Sequence, residues 1–470
     1  MHFLSRCLQR RWAVVSAYLI LSASVLYRYQ VLPSVVPNAD AFGYIEHALA
    51  FREFGLLSYF GTVRTYGYPL LVYLYSLIAG FEPLTIALVA GAIQLAMYGL
   101  TVLWLASRIS TKSASFAHAT MIGLMLNPIV VAVVGDVLTE GPTLILVVLA
   151  LIALINSARA QRTTASLLWA VFGTALTNFS LMIRPANLLL ILAWNGGFLF
   201  SLHRPREGIR RAPLLLGYGG AWLLSAAAAW SPQYLYNLAL GSSSILPIFP
   251  ILATQLKWGI LLLKYATIVT SDHAEGLLFP NPWCVPPVPN SEPWLWYFGH
   301  PMRGGATILG HLFAAFNFEY PFVYVYDVHP VYALPLSASI WMISSLGLLH
   351  AVTAGWNFFH GKARSPETMS VIVMIGTLFA LSVGSNALIA VENRYNLFPV
   401  AVLAVLGIHF LLRYARQGAF RRAVFVFIVS IGIIAGMVSE NMRSSAIKMT
   451  TDLKPYPCIA PNVPGAKVEP

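Results

Sequence analysis

The sequence predicts an all-α polytopic membrane protein of about 11 transmembrane helices, with about 11–13 as the range. Three observations predict it. Apolar residues make up 58% of the chain and charged residues 10%, with a mean hydropathy of +0.71; a soluble domain carries about 25% charge. The apolar residues fall in runs long enough to cross a bilayer core of ~30 Å as helices. The basic residues sit in short loops between alternate runs. The formal net charge of +12 therefore describes membrane topology and gives no reason to expect nucleic acid.

The expected spans lie near 12–32, 83–106, 115–134, 141–157, 166–182, 186–202, 213–230, 330–352, 369–390, 396–412 and 423–439. The first follows Arg6, Arg10 and Arg11 and has no small-residue cleavage site, so it reads as a retained helix and not a signal peptide. Three further apolar stretches are read as helices lying on the membrane or re-entering it. Residues 67–81 are short. Residues 246–270 carry Lys257 and Lys264 seven apart, a spacing that puts both on one helix face. Residues 304–318 hold Gly, His and Asn.

The charges orient this arrangement. With the N-terminus in the cytoplasm, the cytoplasmic connections hold 17 of the 29 basic residues. These are Arg6, Arg10 and Arg11; Arg108 and Lys112; Arg159 and Arg162; Arg204, Arg206, Arg210 and Arg211; Lys362 and Arg364; and Arg413, Arg416, Arg421 and Arg422. Only two acids, Glu207 and Glu367, accompany them. This is the pattern of the positive-inside rule. The other acids fall at the opposite face, which is therefore the face to search for function. The C-terminus is expected on that face too.

That face contains a first outer loop (33–82), a long segment at 231–329 and a tail at 441–470. The long segment is rich in Pro, Trp and Tyr, as in Pro293-Trp294-Leu295-Trp296-Tyr297. It reads either as an aromatic belt at the interface or as a lid. The cysteines, Cys7, Cys284 and Cys458, have no metal-ligand spacing; a Cys284–Cys458 disulfide on the outer side is left open.

Four clusters on this face carry candidate chemistry. The first is Asp40, with Tyr44 one helical turn on, Glu46, and then Arg64-Thr65-Tyr66-Gly67-Tyr68-Pro69. A carboxylate here can take a proton from an acceptor hydroxyl; the alternative is a helix cap. The second is Asp136 and Glu140, four apart at the head of a span; capping explains one acid more readily than two. The third is Arg184-Pro185, where the Arg either snorkels to headgroups or holds a phosphate. The fourth is Glu392-Asn393-Arg394-Tyr395, whose alternative is a structural salt bridge. Ionisable groups at membrane depth are functional candidates, and arginines suit bidentate phosphate contact. No catalytic Ser-His-Asp order, Gly-rich phosphate loop or metal spacing stands out.

The order Asn38-Ala39-Asp40-Ala41-Phe42-Gly43-Tyr44, then Arg64-Thr65-Tyr66-Gly67-Tyr68-Pro69-Leu70, resembles the first outer loop of GT-C glycosyltransferases. That superfamily includes the aminoarabinose transferases of lipid A and the protein O-mannosyltransferases. Leu138-Thr139-Glu140, Arg184-Pro185 and Glu392-Asn393-Arg394-Tyr395 are similar to later signatures. Tyr66 stands where the family commonly has Pro. The resemblance implies a GT-C-like catalytic domain over 1–412, a last transmembrane helix at 413–440 and a short periplasmic tail. It implies a bacterial inner-membrane enzyme that transfers a sugar from a polyprenyl-phosphate donor to a lipid, glycan or protein acceptor. Asp40 is then the catalytic base, and Glu140, the second catalytic candidate, matches a second acidic position that orients acceptor or donor. Tyr44, Glu46, Arg64, Tyr66, Tyr68, Asp136, Arg184, Glu392, Arg394 and Tyr395 are the substrate-binding candidates. Lys257 and Lys264 match nothing in the family and are added as phosphate or headgroup contacts. No cofactor or metal is expected.

Two other classes compete. A transporter or flippase of lipid-linked sugars predicts an internal repeat with broken helices near midmembrane; the sequence shows no repeat. An oligosaccharide polymerase or ligase shares the lipid-linked donor but lacks the Asp40 and Arg64–Pro69 grouping. A purely structural membrane component leaves the segregation of acids unexplained.

Overall fold

A computed structural model describes residues 2–31, 40–56, 64–203, 208–246, 251–269, 274–289, 292–319, 324–325, 330–359, 365–414 and 418–448. Residues 32–39 of the first outer loop and the tail beyond 448, with Cys458, lie outside the described residues. In chain order the α-helices are α1 (His2–Val31), α2 (Asp40–Phe54), α3 (Gly67–Ala79), α4 (Pro83–Ser110), α5 (Ala114–Met125), α6 (Pro128–Val134) and α7 (Glu140–Arg159). Then come α8 (Thr163–Ile183), α9 (Leu188–Ser201), α10 (Arg211–Ala239), α11 (Ile251–Leu261), α12 (Trp294–Gly299) and α13 (Pro301–Phe316). The last four are α14 (Pro330–Phe359), α15 (Pro366–Asn386), α16 (Leu397–Tyr414) and α17 (Gly418–Ser444). The strands are β1 (Leu262–Val269), β2 (Ala274–Pro280), β3 (Tyr324–Val325) and β4 (Ile447–Lys448).

Among the described residues, nine helices are long and apolar enough to cross a membrane, or ten if one bent pair counts as a span. The chain is thus a multi-pass membrane protein, and two of the eleven expected spans take another form among the described residues. The expected span at 115–134 is that bent pair, α5 and α6, which meet at 58°. Asn127 accepts from the Ile129 and Val130 amides to cap α6, and Pro128 occupies its first turn. An Asn-Pro step stops one helix and starts the next. The expected span at 186–202 is only a 3₁₀ turn, Pro185–Asn187, followed by the 14 residues of α9. Residues 67–81 form the 13-residue α3.

The stretch 246–270 departs most from expectation. Among its described residues it is helical only as α11, and then turns into β1, which pairs antiparallel with β2. The four-stranded sheet runs β3-β1-β2-β4 and is the main exception to an all-helical chain. Tyr265-Ala266-Thr267-Ile268-Val269 is rich in the aromatic and β-branched residues that favour strands. Lys257 and Lys264 therefore do not share a helix face. Of residues 304–318, those up to Phe316 are helical as expected, within α13, and Asn317 and Phe318 lie beyond its end.

The chain divides into two compact units, Met1–Phe249 with Val352–Leu381, and Pro250–Ala351 with Ser382–Pro470. In the first, α7 is the central helix; its span is 83% buried, with α4 and α8 against it. Its outer members turn apolar residues away from the protein, as Leu216, Leu223 and Leu224 of α10 do. At the far end of α7 from Glu140, Arg159 donates to Glu367 at 2.7 Å, and Lys112 donates to the same carboxylate at 2.5 Å. Glu367, an isolated acid on the basic side of the sequence, thus clamps the ends of α4, α7 and α15.

In the second unit, α14 and α16 cross closely at two glycines. A Cβ on Gly347 would strike the Leu403 carbonyl, and one on Gly407 the Ile343 carbonyl. Small residues allow such approach between helices in lipid. Cys284 of this unit is disulfide-bonded. Gly347→Leu is expected to lower the melting temperature in detergent, from overpacking worth about 1–3 kcal/mol. Gly355→Leu, on α14 with open space around it, is expected to leave the melting temperature unchanged.

Candidate active site

In the first unit three acid–arginine pairs stand on segments that contact one another. Asp40 opens α2, and its carboxylate accepts from Arg64 Nη2 at 2.8 Å while its main-chain oxygen accepts from Nη1 at 3.0 Å. The Arg64 guanidinium lies 4.3 Å over the Tyr44 ring. Gly43 lies so close to Arg64 that a Cβ there would strike the guanidinium. Asp40, Gly43, Tyr44 and Arg64 therefore form one cluster. His47, a turn on, keeps its Nδ1 2.5 Å from the Gly43 oxygen; burial holds its pKa below the ordinary 6.5, with Arg64 adding to the shift. Further along α2, Arg52 stacks on Phe81, and Glu46 is exposed.

The chain from Arg64 leads into α3, and Gly67 brings α3 against the end of α8. A Cβ on Gly67 would lie 2.5 Å from the Met182 oxygen, two residues before Arg184. Tyr66 packs on Leu181, Met182 and Ile191, and its hydroxyl donates to the Ala229 oxygen at 2.7 Å. Burial pushes the Tyr66 phenol up to about 12. Tyr68 is fully buried, meets Tyr44 edge-on at 4.7 Å and accepts from Gln94 at 3.1 Å. Gln94 in turn lies against Gly141, next to Glu140.

Glu140 opens α7, is buried, and accepts from Arg184 at 2.8 Å and from the Thr139 hydroxyl at 3.2 Å. Asp136 is buried too, and is held by Arg28 from α1. Its turn is fixed by close packing: a Cβ on Gly91 of α4 would lie 2.5 Å from the Gly135 oxygen, and Tyr29 donates to that same oxygen at 2.8 Å. The three carboxylates differ in access. The Asp40 side chain is 38% exposed, against 4% for Glu140 and 3% for Asp136. Arg64 and Arg184 are each 21% exposed. Only Asp40 of the three presents its carboxylate openly, with two part-exposed guanidiniums on neighbouring segments.

The remaining candidates belong to the second unit. Glu392 accepts from Arg394 at 2.8 Å, and both are buried. The Tyr395 hydroxyl is 2.6 Å from that of Tyr265 on β1. Lys264 is fully buried; it donates to the Asn317 oxygen at 2.7 Å and to Glu319 at 3.3 Å. Asn317 Nδ2 donates to the other Glu319 oxygen at 3.0 Å, and Ser337 donates to Asn317. Burial lowers the Lys264 pKa and Glu319 opposes that shift. Lys257 is half-buried on α11.

Two partners escape the sequence reading, Arg28 and Glu319. Arg28 was findable as a lone cation in the last turn of the first span. Glu319 carries no such signal. Among the described residues, no group of three or more His, Cys, Asp or Glu side chains could hold a metal ion.

The Lys264–Glu319 pair generates a stability prediction. Removing one partner strands a buried charge, so Glu319→Ala is expected to cost about 3–5 kcal/mol, whereas the double replacement Lys264→Met with Glu319→Leu is expected to be far milder. Thermal unfolding of the two variants checks this. No family model, curated protein or solved structure matches the chain.

Proposed function

We propose that the protein is a membrane glycosyltransferase that moves a sugar from a polyprenyl-phosphate donor to a lipid, glycan or protein acceptor. The active site faces the periplasm of a bacterial inner membrane. The observation that carries this reading is the accessible Asp40 carboxylate, gripped by an Arg64 guanidinium that itself lies over the Tyr44 ring, in a cluster that Gly67 joins to the Arg184 end of α8.

The chemistry follows from those groups. Asp40 accepts the proton of the acceptor hydroxyl as its oxygen forms a bond to the anomeric carbon. The bond from that carbon to the phosphate oxygen breaks, and polyprenyl phosphate leaves with the electron pair. The phosphate's negative charge meets Arg64 and Arg184, whose planar guanidiniums bind phosphate in a bidentate manner. Guanidiniums held in place before reaction are suited to stabilising charge that grows in the transition state. Arg64 has two possible anionic partners, Asp40 and the donor phosphate. Glu140 is the buried counter-ion that orients Arg184.

Asp40→Asn is expected to lower kcat by about 10²–10⁴-fold with the melting temperature and donor KM little changed. Arg64→Gln is expected to raise donor KM. Steady-state transfer assays on purified protein check both. Full turnover by a folded Asp40→Asn protein contradicts the base assignment.

A further inference from the structure

Helices α12 and α13 are built inside out. A helix on a water-soluble protein turns its large apolar residues toward the core. Here four large ones point away: Trp294 is 47% exposed, Phe298 75%, Met302 88% and Leu309 68%, while Trp296 of α12 is enclosed. Trp294 and Phe298 are four apart and share one side of α12, and Met302 and Leu309 are seven apart and share one side of α13. The inward side of α13 is small or polar, with Gly304, Thr307, Gly310, His311 and Ala314 all buried, and α12 turns Trp296 inward.

That inward side is firmly anchored. Asn281 donates to Thr307 at 2.9 Å. The His311 ring nitrogens sit 2.9 Å from the Ala387 oxygen and 3.1 Å from the Leu262 oxygen. Asn396 donates to the Ala315 oxygen at 2.8 Å. A Cβ on Gly310 would press into Trp283 and Leu263. The helices are thus held in an orientation that displays their apolar side, and rotation to hide it would break these bonds.

We propose that the outward face of α12 and α13 is a membrane-contact surface, seated in the boundary between phospholipid headgroups and acyl chains. Three observations commit it to lipid. The same unit carries α16 and α17, which meet span criteria, and α17 turns Phe425, Ile433, Ile434 and Met437 outward in the same manner. The 16 residues of α13 reach about 24 Å, short of a hydrocarbon core of ~30 Å, which suits a helix lying in the interface. The exposed face has a cation, Arg303, beside Met302, able to reach headgroups while its stem stays on apolar surface. Trp294 at the start matches the preference of indole for that boundary. This surface is independent of the sugar-transfer reading.

The test uses the full chain in nanodiscs of phosphatidylcholine and phosphatidylglycerol. An environment-sensitive fluorescent amino acid replaces Phe298, Met302 or Leu309, one at a time, with Ser115, exposed at a helix start on the basic side of the chain, as a water-facing control. Lipids brominated on the acyl chain are expected to remove more than half of the emission at 298, 302 and 309, and aqueous iodide to remove little. Iodide is expected to quench the probe at 115. Quenching of 298, 302 and 309 by iodide but not by brominated lipid overturns the proposal in favour of a water-facing surface. Protection from both quenchers overturns it in favour of a second copy or another protein on that face.

Discussion

Asp40, Asp136 and Glu140 each meet an arginine from another segment, namely Arg64, Arg28 and Arg184. A charge taken out of water into apolar surroundings costs several kcal/mol unless it is paired and hydrogen-bonded. That cost constrains the first unit strongly. The turn before α7 can settle only where Arg28 of α1 reaches it, and the start of α7 only where the end of α8 supplies Arg184. The loop before α3 is held to the start of α2 by Arg64. One electrostatic requirement thus ties together, in pairs, five segments: the end of α1, the start of α2, the loop before α3, the head of α7 and the end of α8.

Packing brings those charges within reach. Gly67, Gly91 and Gly141 stand where a side chain would collide with a neighbouring backbone or buried polar group. Their absence of a Cβ lets α3 touch α8, α4 touch the 135 turn and α7 touch Gln94. The arrangement grades from buried to open. Arg28–Asp136 is enclosed and holds the frame, Glu140–Arg184 has one part-exposed member, and Asp40–Arg64 is the most open. A buried ion pair contributes more to a unique arrangement than to stability, which suits the enclosed pair to a structural role and the open one to chemistry.

Much of this was legible in the sequence. Composition and the spacing of basic residues revealed a multi-pass membrane chain, because the bilayer imposes run length and polarity directly. The same scarcity of charge singled out Asp40, Arg64, Asp136, Glu140 and Arg184. Their pairing was not legible, because each bond joins segments that sequence spacing does not relate; 108 residues separate Arg28 from Asp136. Residues 262–269 were read as helix because an apolar run of that length fits either period; pairing with β2 decides it. The bend at Asn127-Pro128 lies within an apolar run that reads as one continuous span, and the Asn-Pro step is what divides it. Glu319 had no local mark, since its role depends wholly on the burial of Lys264.

The most direct measurement is an assay of the purified protein with a panel of polyprenyl-phosphate sugars and an acceptor mixture, following both free polyprenyl phosphate and new glycoside. At least one donor is expected to be consumed, with equal amounts of the two products. Movement of intact donor across the membrane, with no donor consumed, would contradict sugar transfer as the activity.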